Sequence, residues 1–186
     1  MQGHEDSDEQ QLVEQVRTGS RGAFDRLARR HTPRLLGLAT RMLASPAEAE
    51  DAVQNALASV WLGRHRLATD RAIGGYLTTV TLNKCRDRLR RRKAAGFLGF
   101  GGGLDEAVSS DLAPDPEVSA ADREALARVQ GEVERLPIRL REALVLVTMD
   151  GRSQKEAADL LGVTEKTIET RIYRARNRLR EKLDFL

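Results

Sequence analysis

Residues 153–183 contain two helical segments joined by a three-residue turn, and this hairpin restricts the fold more than any other part of the chain. Ser153 and Glu156 have the spacing of a capping box, which predicts the start of the first helix. Gly162 predicts the end of that helix, and Thr164 predicts the N-cap of the second helix. A short helix, a tight glycine-containing turn and a basic second helix are typical of a DNA-binding helix-turn-helix.

The second helix of this hairpin has one apolar side and one polar side. Steps of three and four residues place its apolar residues on a continuous inner seam: Ile168, Ile172, Ala175, Leu179 and Leu183. Opposite and beside the seam lie the side chains that we predict to bind DNA: Lys166, Thr167, Thr170, Arg171, Tyr173, Arg174, Asn177 and Arg178. An ordinary solvated basic helix is the alternative. Glu169 either accepts a hydrogen bond from a cytosine amino group or supports nearby arginines on the helix surface.

The rest of the chain is also predicted to be helical. Alanine, leucine and arginine are abundant, whereas aromatic residues make up only 4% of the sequence, which favours helices over a sheet. Apolar residues recur every three or four positions from Phe24 to Met42, which predicts a long helix. Ser45, Pro46 and Glu48 predict the start of another helix with a capping box. We therefore predict an all-α fold.

A glycine-rich and acidic stretch divides the chain into two predicted domains. Residues 94–118 combine glycine, proline and acidic side chains without a steady apolar period, which predicts a flexible linker. We expect an N-terminal helical domain at 1–93 and a C-terminal helix-turn-helix domain at 119–186. The glycines at 99 and 101 do not form a dinucleotide-binding fingerprint, because Leu104 stands where the third glycine is needed.

Composition and motifs argue against several classes of protein. Cys85 is the only cysteine, which excludes an internal disulfide framework, and residues 1–10 are too acidic and polar for a secretory signal. We expect a cytoplasmic protein without membrane insertion. The residues show no metal-ligand spacing, nucleophile–base pair or nucleotide loop, so we expect no enzyme activity, no metal and no cofactor. His31 lies on the apolar stripe of its helix and is interpreted as a core or boundary residue.

Two further surfaces are candidates for binding. Glu50, Asp51, Gln54 and Asn55 lie on the outer side of the helix that begins at Pro46. They form either an acidic first turn that complements the helix dipole or a docking surface for a partner protein. Residues 84–93 contain seven basic side chains and one acid, a density that favours phosphate contact over a solvated helix end.

Taken in order, these motifs resemble the small two-domain bacterial sigma factors of the extracytoplasmic-function (ECF) group, from Ala23 to Leu183 outside the linker. The resemblance implies an alternative sigma factor that binds the β′ and β subunits of core RNA polymerase and directs promoter recognition. It implies that the polar surface at Glu50, Asp51, Gln54 and Asn55 docks on β′. An anti-sigma factor is a further implied partner, with Phe97 and Phe100 as candidate contacts.

The resemblance also divides the DNA contacts between two promoter elements. The helix at 75–93 and the loop at 64–70 resemble the parts that open and read the −10 element, which implies contacts from these residues: Arg64, His65, Tyr76, Asn83, Lys84, Arg86, Arg88, Arg90 and Arg91. The helix-turn-helix resembles the reader of the −35 element. Lys166 and Glu169 stand where the family usually has glycine and lysine. The alternative function is a self-sufficient helix-turn-helix regulator that binds operator DNA without polymerase.

Overall fold

The N-terminal part of the chain is a bundle of four helices. The computed structural model describes residues 2–68, 72–97 and 120–183. Residues 2–97 are called the N-lobe, and a 3-10 turn at Arg64–Arg66 follows its third helix. Its helices are α1 (Gln2–Arg17), α2 (Arg21–Leu43), α3 (Pro46–Leu62) and α4 (Ile73–Phe97).

Residues 120–183, called the C-lobe, form the helix-turn-helix and the two helices that support it. A π-helical turn at Val145–Met149 follows the second of these helices. The helices are α5 (Ala120–Arg135), α6 (Ile138–Leu144), α7 (Gln154–Leu161) and α8 (Glu165–Lys182). No strand occurs in the ranges that the structure describes, and the predicted all-α class is confirmed.

Helix α2 is the central element of the N-lobe. It is continuous through Pro33, and its Leu27, Leu35, Leu38 and Met42 are buried as the apolar period predicts. Ser20 caps it by accepting a hydrogen bond from the backbone N–H of Ala23 (3.3 Å). Apolar residues of α1, α3 and α4 close around this stripe and form the core that holds the N-lobe together.

The predicted capping box at the start of α3 is wrong in its second half. The Ser45 hydroxyl accepts a hydrogen bond from the Glu48 N–H (3.4 Å), as expected. The Glu48 carboxylate, however, binds Arg88 (3.0 Å from its Nε) and Arg92 on α4. Charge-assisted bonds to two guanidinium groups are stronger than one bond to a backbone amide, so this carboxylate ties α3 to α4 instead of capping α3.

The helix-turn-helix follows its sequence signals closely. Ser153 and Glu156 form a reciprocal capping box, and Gly162 ends α7 in the left-handed conformation at φ +64°. Thr164 caps α8 by accepting a hydrogen bond from the Thr167 N–H (3.2 Å). The predicted inner seam of α8 is buried along its whole length. Leu126 on α5 is 54% exposed despite its apolar side chain.

The two lobes share one apolar cluster, and the division into domains at 1–93 and 119–186 with a flexible linker between them remains a prediction. Apolar residues of α6, α7 and α8 belong to the same buried cluster as the N-lobe core. Helix α4 also continues to Phe97, past the predicted domain end at residue 93, because Ala94 and Ala95 favour the helix. The remainder of the predicted linker, including Phe100, lies outside the described residues.

Candidate nucleic-acid and partner interfaces

The polar surface of α3 is brought together as predicted. Glu50, Asp51, Gln54 and Asn55 are all exposed, while Ala52 and other small apolar residues anchor the opposite side of the helix in the core. The Asn55 side-chain N–H donates to the Asp51 carbonyl oxygen (2.7 Å). This bond turns the Asn55 amide back onto its own helix and leaves the exposed carboxylates of Glu50 and Asp51 as the most prominent charges.

The α3 surface is continuous with the basic helix α4. Arg88 lies 3.7 Å from Asp51 and 3.0 Å from Glu48, measured from its guanidinium nitrogens to their carboxylate oxygens. Arg88, which the sequence assigned to −10 DNA, is thus occupied by α3 acids in this arrangement. Its position makes the acidic and basic surfaces neighbours on one side of the N-lobe.

Three of the predicted −10 residues lie on one line along α4. Tyr76, Asn83 and Arg90 are seven residues apart and exposed, on the side opposite to buried Thr81 and Cys85. An aromatic ring, a carboxamide and a guanidinium in a row can stack on a base, read its edge and contact a phosphate, respectively. Sequence spacing therefore places these three side chains on one exposed face.

The other predicted −10 residues of α4 differ in their surroundings. Arg86 donates to the Asn83 side-chain oxygen (2.7 Å) and also binds Glu142 of the C-lobe. Arg91 is exposed, and Lys84 is half-buried.

Cys85 next to Arg86 is fully buried, and desolvation together with the nearby Glu142 carboxylate raises the pKa of its thiol to about 12. This thiol is therefore protonated at physiological pH and is a packing group.

The loop after α3 rests on an aromatic pair that the sequence did not reveal. The Arg64 guanidinium lies 4.6 Å from the centre of the Trp61 ring and donates to the Trp61 carbonyl oxygen (3.1 Å). Trp61 in turn packs on Phe24 of α2, with ring centres 5.2 Å apart. This stack fixes the start of the loop and leaves His65 exposed. The loop is described as far as Ala68, and residues 69–71 lie outside the described ranges.

The exposed face of α8 presents most of the predicted −35 residues. Lys166, Tyr173, Arg174 and Arg178 are exposed, and Thr167, Thr170, Arg171 and Asn177 are half-buried. Thr167 serves the N-cap, because its hydroxyl lies 2.9 Å from that of Thr164. Lys166 pairs with Glu169 (2.9 Å), so of the two interpretations of Glu169 the structure shows surface pairing, with Lys166 as the partner.

A groove beside α8 contains two charged residues that the sequence did not single out. Arg139 on α6 and Glu181 on α8 line it together with apolar Pro137, Ile138 and Leu140 and with the predicted DNA residues Arg174, Asn177 and Arg178. Arg139 thus joins two predicted arginines on one side of the recognition helix. The sequence did not reveal this arrangement, because Arg139 lies far from Arg174 and Arg178 along the chain.

Within the described ranges, no group of three or more histidine, cysteine, aspartate or glutamate side chains is placed to hold a metal ion. None of the helices described by the structure is long and apolar enough to cross a membrane.

An exposed polar surface on α3, an adjacent basic helix and a helix-turn-helix on one chain fit a promoter-recognition factor. Residues 27–95 match the family described as Sigma-70 region 2, and residues 126–179 match Sigma-70, region 4. These two matches account for both lobes, whereas a self-sufficient helix-turn-helix regulator would account only for the C-lobe.

Relatives along the whole chain make the assignment more specific. ECF RNA polymerase sigma factor SigM of Mycobacterium tuberculosis is 38% identical, over 98% of this chain and 88% of its own length. RNA polymerase sigma factor CnrH of Cupriavidus metallidurans is 37% identical, over 93% of each chain. The chain therefore belongs to the ECF RNA polymerase sigma factors.

Two solved structures are similar to the fold described above. CnrH in complex with the cytosolic domain of CnrY has a TM-score of 0.70 at 30% identity, covering 95% of this chain and 97% of that one. The sigma factor RpoE in complex with the anti-sigma factor NepR, from Bartonella quintana, also has a TM-score of 0.70, at 26% identity. That match covers 87% of this chain and 97% of RpoE.

Proposed function

We propose that this sigma factor binds core RNA polymerase through α3 and reads a promoter with α4 and α8. The proposal is carried by three exposed polar surfaces, one each on α3, α4 and α8. Buried residues on the opposite side anchor each of these helices, and the chain belongs to the sigma factors. The exposed acids Glu50 and Asp51, with Gln54 and Asn55 beside them, form the polymerase-docking surface. Carboxylates of this kind suit a partner surface of opposite charge.

Helix α4 and the loop before it bind the opened −10 element. Tyr76 stacks on an unpaired base, and the Asn83 amide reads a base edge from the same face. The basic residues near them hold the strand by its phosphates: Arg64, His65, Lys84, Arg86, Arg88, Arg90 and Arg91. Pulling a base out of the duplex costs a few kcal/mol, which contacts to an extruded base offset.

Helix α8 enters the major groove at the −35 element. Lys166, Thr170 and Tyr173 on its exposed N-terminal half face the base edges, and Arg174 and Asn177 follow on the same side. Arg171 and Arg178 flank this face and contact phosphates, with Arg139 from the neighbouring groove. Thr167 supports the capped N-terminus that is aimed at the DNA.

The chain supplies recognition, and the covalent chemistry of transcription belongs to the polymerase. It acts without a catalytic group, metal or cofactor of its own, in the cytoplasm where polymerase and promoter DNA are present. The similarity to RpoE, which is seen in complex with the anti-sigma factor NepR, supports an anti-sigma factor as a further partner.

The test combines the purified full-length chain with bacterial core polymerase and a library of promoters. Run-off transcripts that need both components are expected. Tight binding to duplex DNA by the chain alone, without core binding or transcripts, would instead support a self-sufficient regulator.

The docking surface is tested by Asp51→Arg, which is expected to abolish core binding without changing the circular dichroism spectrum. The matched control is Asp25→Arg, the same change at an exposed position on α2, which should leave core affinity unchanged. Equal core affinity of the Asp51→Arg variant and the natural chain would show that α3 is not the docking surface.

A further inference from the structure

The two halves of α8 differ in charge. From Glu165 to Thr170 there are one lysine and two glutamates, which give a net charge of −1. From Arg171 to Lys182 there are five arginines, one lysine and one glutamate, which give a net charge of +5. Attraction to DNA phosphates that ignores sequence is therefore concentrated in the second half of the helix. The first half, which is proposed to enter the major groove, gains little from it.

The two acids of the first half have different surroundings. Glu165 lies in the first turn, where a carboxylate complements the positive end of the helix dipole. Glu169 lies one turn later, and its carboxylate is 2.9 Å from the Lys166 ammonium, with the two side chains 56% and 80% exposed. A lysine that precedes its glutamate is the less favourable order on a helix, and an exposed pair adds little stability. Helix stability therefore does not explain Glu169.

The pair formed by Lys166 and Glu169 has unused hydrogen-bonding capacity, unlike the hydroxyl groups beside it. The Thr170 hydroxyl donates to the Lys166 carbonyl oxygen (2.8 Å), and the Thr167 hydroxyl lies 2.9 Å from that of Thr164 at the N-cap. An ammonium has three donors and a carboxylate has several acceptor sites, and their mutual bond uses one of each. The pair can therefore stay together and still present a donor and an acceptor side by side.

A G·C base pair presents the complementary groups in the major groove. Guanine accepts at O6 and N7, and cytosine donates from N4. Because O6 and N4 share a Watson–Crick hydrogen bond, they lie about 2.9 Å apart, which matches the separation of the Lys166 ammonium and the Glu169 carboxylate. A T·A pair also places an acceptor beside a donor, but it offers the lysine one acceptor where guanine offers two. The G·C pair therefore satisfies both charges best.

We propose that Lys166 and Glu169 together read one G·C base pair of the −35 element. Lys166 donates to guanine O6 and N7, and Glu169 accepts from cytosine N4. Any other base pair at this place removes water from the Glu169 carboxylate without an equivalent set of bonds, so the pair also rejects wrong sequences. This inference rests on the proposed function, because it assigns a base pair to the helix that the proposal places at the −35 element.

The test is a selection of −35 sequences from a promoter library by holoenzyme that contains the full-length chain. We expect the natural chain to prefer G·C over the other base pairs by about tenfold at one position. Glu169→Ala should relax that position alone. Glu169→Gln should shift its preference to adenine, because a glutamine amide bonds to adenine N6 and N7. Lys166→Ala should relax the same position, and the double alanine variant should lose no further selectivity.

The matched control is Glu165→Ala, which removes an equal charge from an exposed position one turn earlier on α8. Both glutamate-to-alanine changes should strengthen binding to DNA of any sequence, since each removes repulsion from phosphates, but only Glu169→Ala should change base preference.

The inference is overturned if Glu169→Ala leaves every base preference unchanged, or if Glu165→Ala relaxes the same position. It is also overturned if Lys166→Ala and Glu169→Ala relax different positions, or if the position that they share is not a G·C pair. A holoenzyme that selects no −35 element at all would instead contradict the proposed function.

Discussion

The Glu48 carboxylate on α3 binds the Arg92 guanidinium near the end of α4, so one acidic side chain ties α3 to α4. Arg92 also donates to the Leu43 carbonyl oxygen (3.1 Å), which extends the contact to the end of α2. One arginine and its carboxylate partner thus link three N-lobe helices whose apolar sides already pack in a common core.

Replacing this carboxylate is predicted to destabilise the fold. Glu48→Gln keeps the shape of the side chain but removes the charge shared by Arg88 and Arg92, so we expect a loss of about 1.5–3 kcal/mol in the free energy of unfolding. Urea denaturation followed by circular dichroism measures it. Glu50→Gln, an exposed position on the same helix, should change stability by less than about 0.5 kcal/mol. Equal effects of the two changes would contradict the bridging role of Glu48.

The capping box of α7 gives a prediction about acid pH. Hydrogen bonds from the Ser153 backbone N–H, Arg152 and the Ser153 hydroxyl lower the pKa of Glu156 from 4.5 to about 2. Because the folded-state pKa lies below the unfolded one, this stabilisation is fully present above pH 4.5 and is lost as the pH falls towards 2. The difference in unfolding free energy between the natural chain and Glu156→Gln should therefore be constant above pH 4.5 and shrink below it. A constant difference down to pH 2 would contradict this assignment.

The aromatic ring of Tyr76 is predicted to act on opened DNA. With core polymerase bound, Tyr76→Ala should weaken binding to a single-stranded −10 sequence by about 1–3 kcal/mol, the usual contribution of stacking on one base. Tyr76→Trp should retain binding, because a larger ring stacks equally well. Tyr173→Ala removes an exposed tyrosine from α8 and serves as the control, since it should not affect single-stranded binding. Loss in the Trp variant as well would argue against stacking.

Arg174 is predicted to contribute to −35 binding. Arg174→Ala should weaken the affinity of the holoenzyme for a duplex −35 element by about 1–3 kcal/mol, as for other direct contacts. The comparison is Arg180→Ala, an exposed arginine in the last turn of the same helix, whose removal should have a smaller effect. Equal losses would indicate that α8 acts only through its total charge.

Features that depend on neighbours in sequence were predictable, and those that depend on the other lobe were not. The helix-turn-helix was predicted correctly from Ser153, Glu156, Gly162 and Thr164, because each capping partner lies three residues away or on the same turn. The seven-residue spacing of Tyr76, Asn83 and Arg90 likewise fixes a shared helix face. The residue roles at these DNA surfaces remain predictions.

Long-range pairing explains what the sequence did not reveal. Glu48 had a plausible local partner in Ser45, but its carboxylate binds arginines some forty positions later in the chain. Nothing in the sequence singled out Glu142 and Asp150, since their partners Arg86 and Arg34 belong to the other lobe. Helical periodicity identifies the buried side of a helix but does not say which distant charge will be opposite it.

The π-helical turn at Val145–Met149 has a consequence for how this chain tolerates changes in length. It is closed by hydrogen bonds such as that from the Asp150 N–H to the Val145 carbonyl oxygen (2.9 Å), five residues apart. Such a turn accommodates one more residue than an α-helical turn, and each residue rotates a helix by about 100°. Deleting a single residue here would turn Asp150 away from Arg34 by roughly a quarter of a circle. The residue count of this turn, more than its composition, therefore sets the direction of the Asp150 carboxylate.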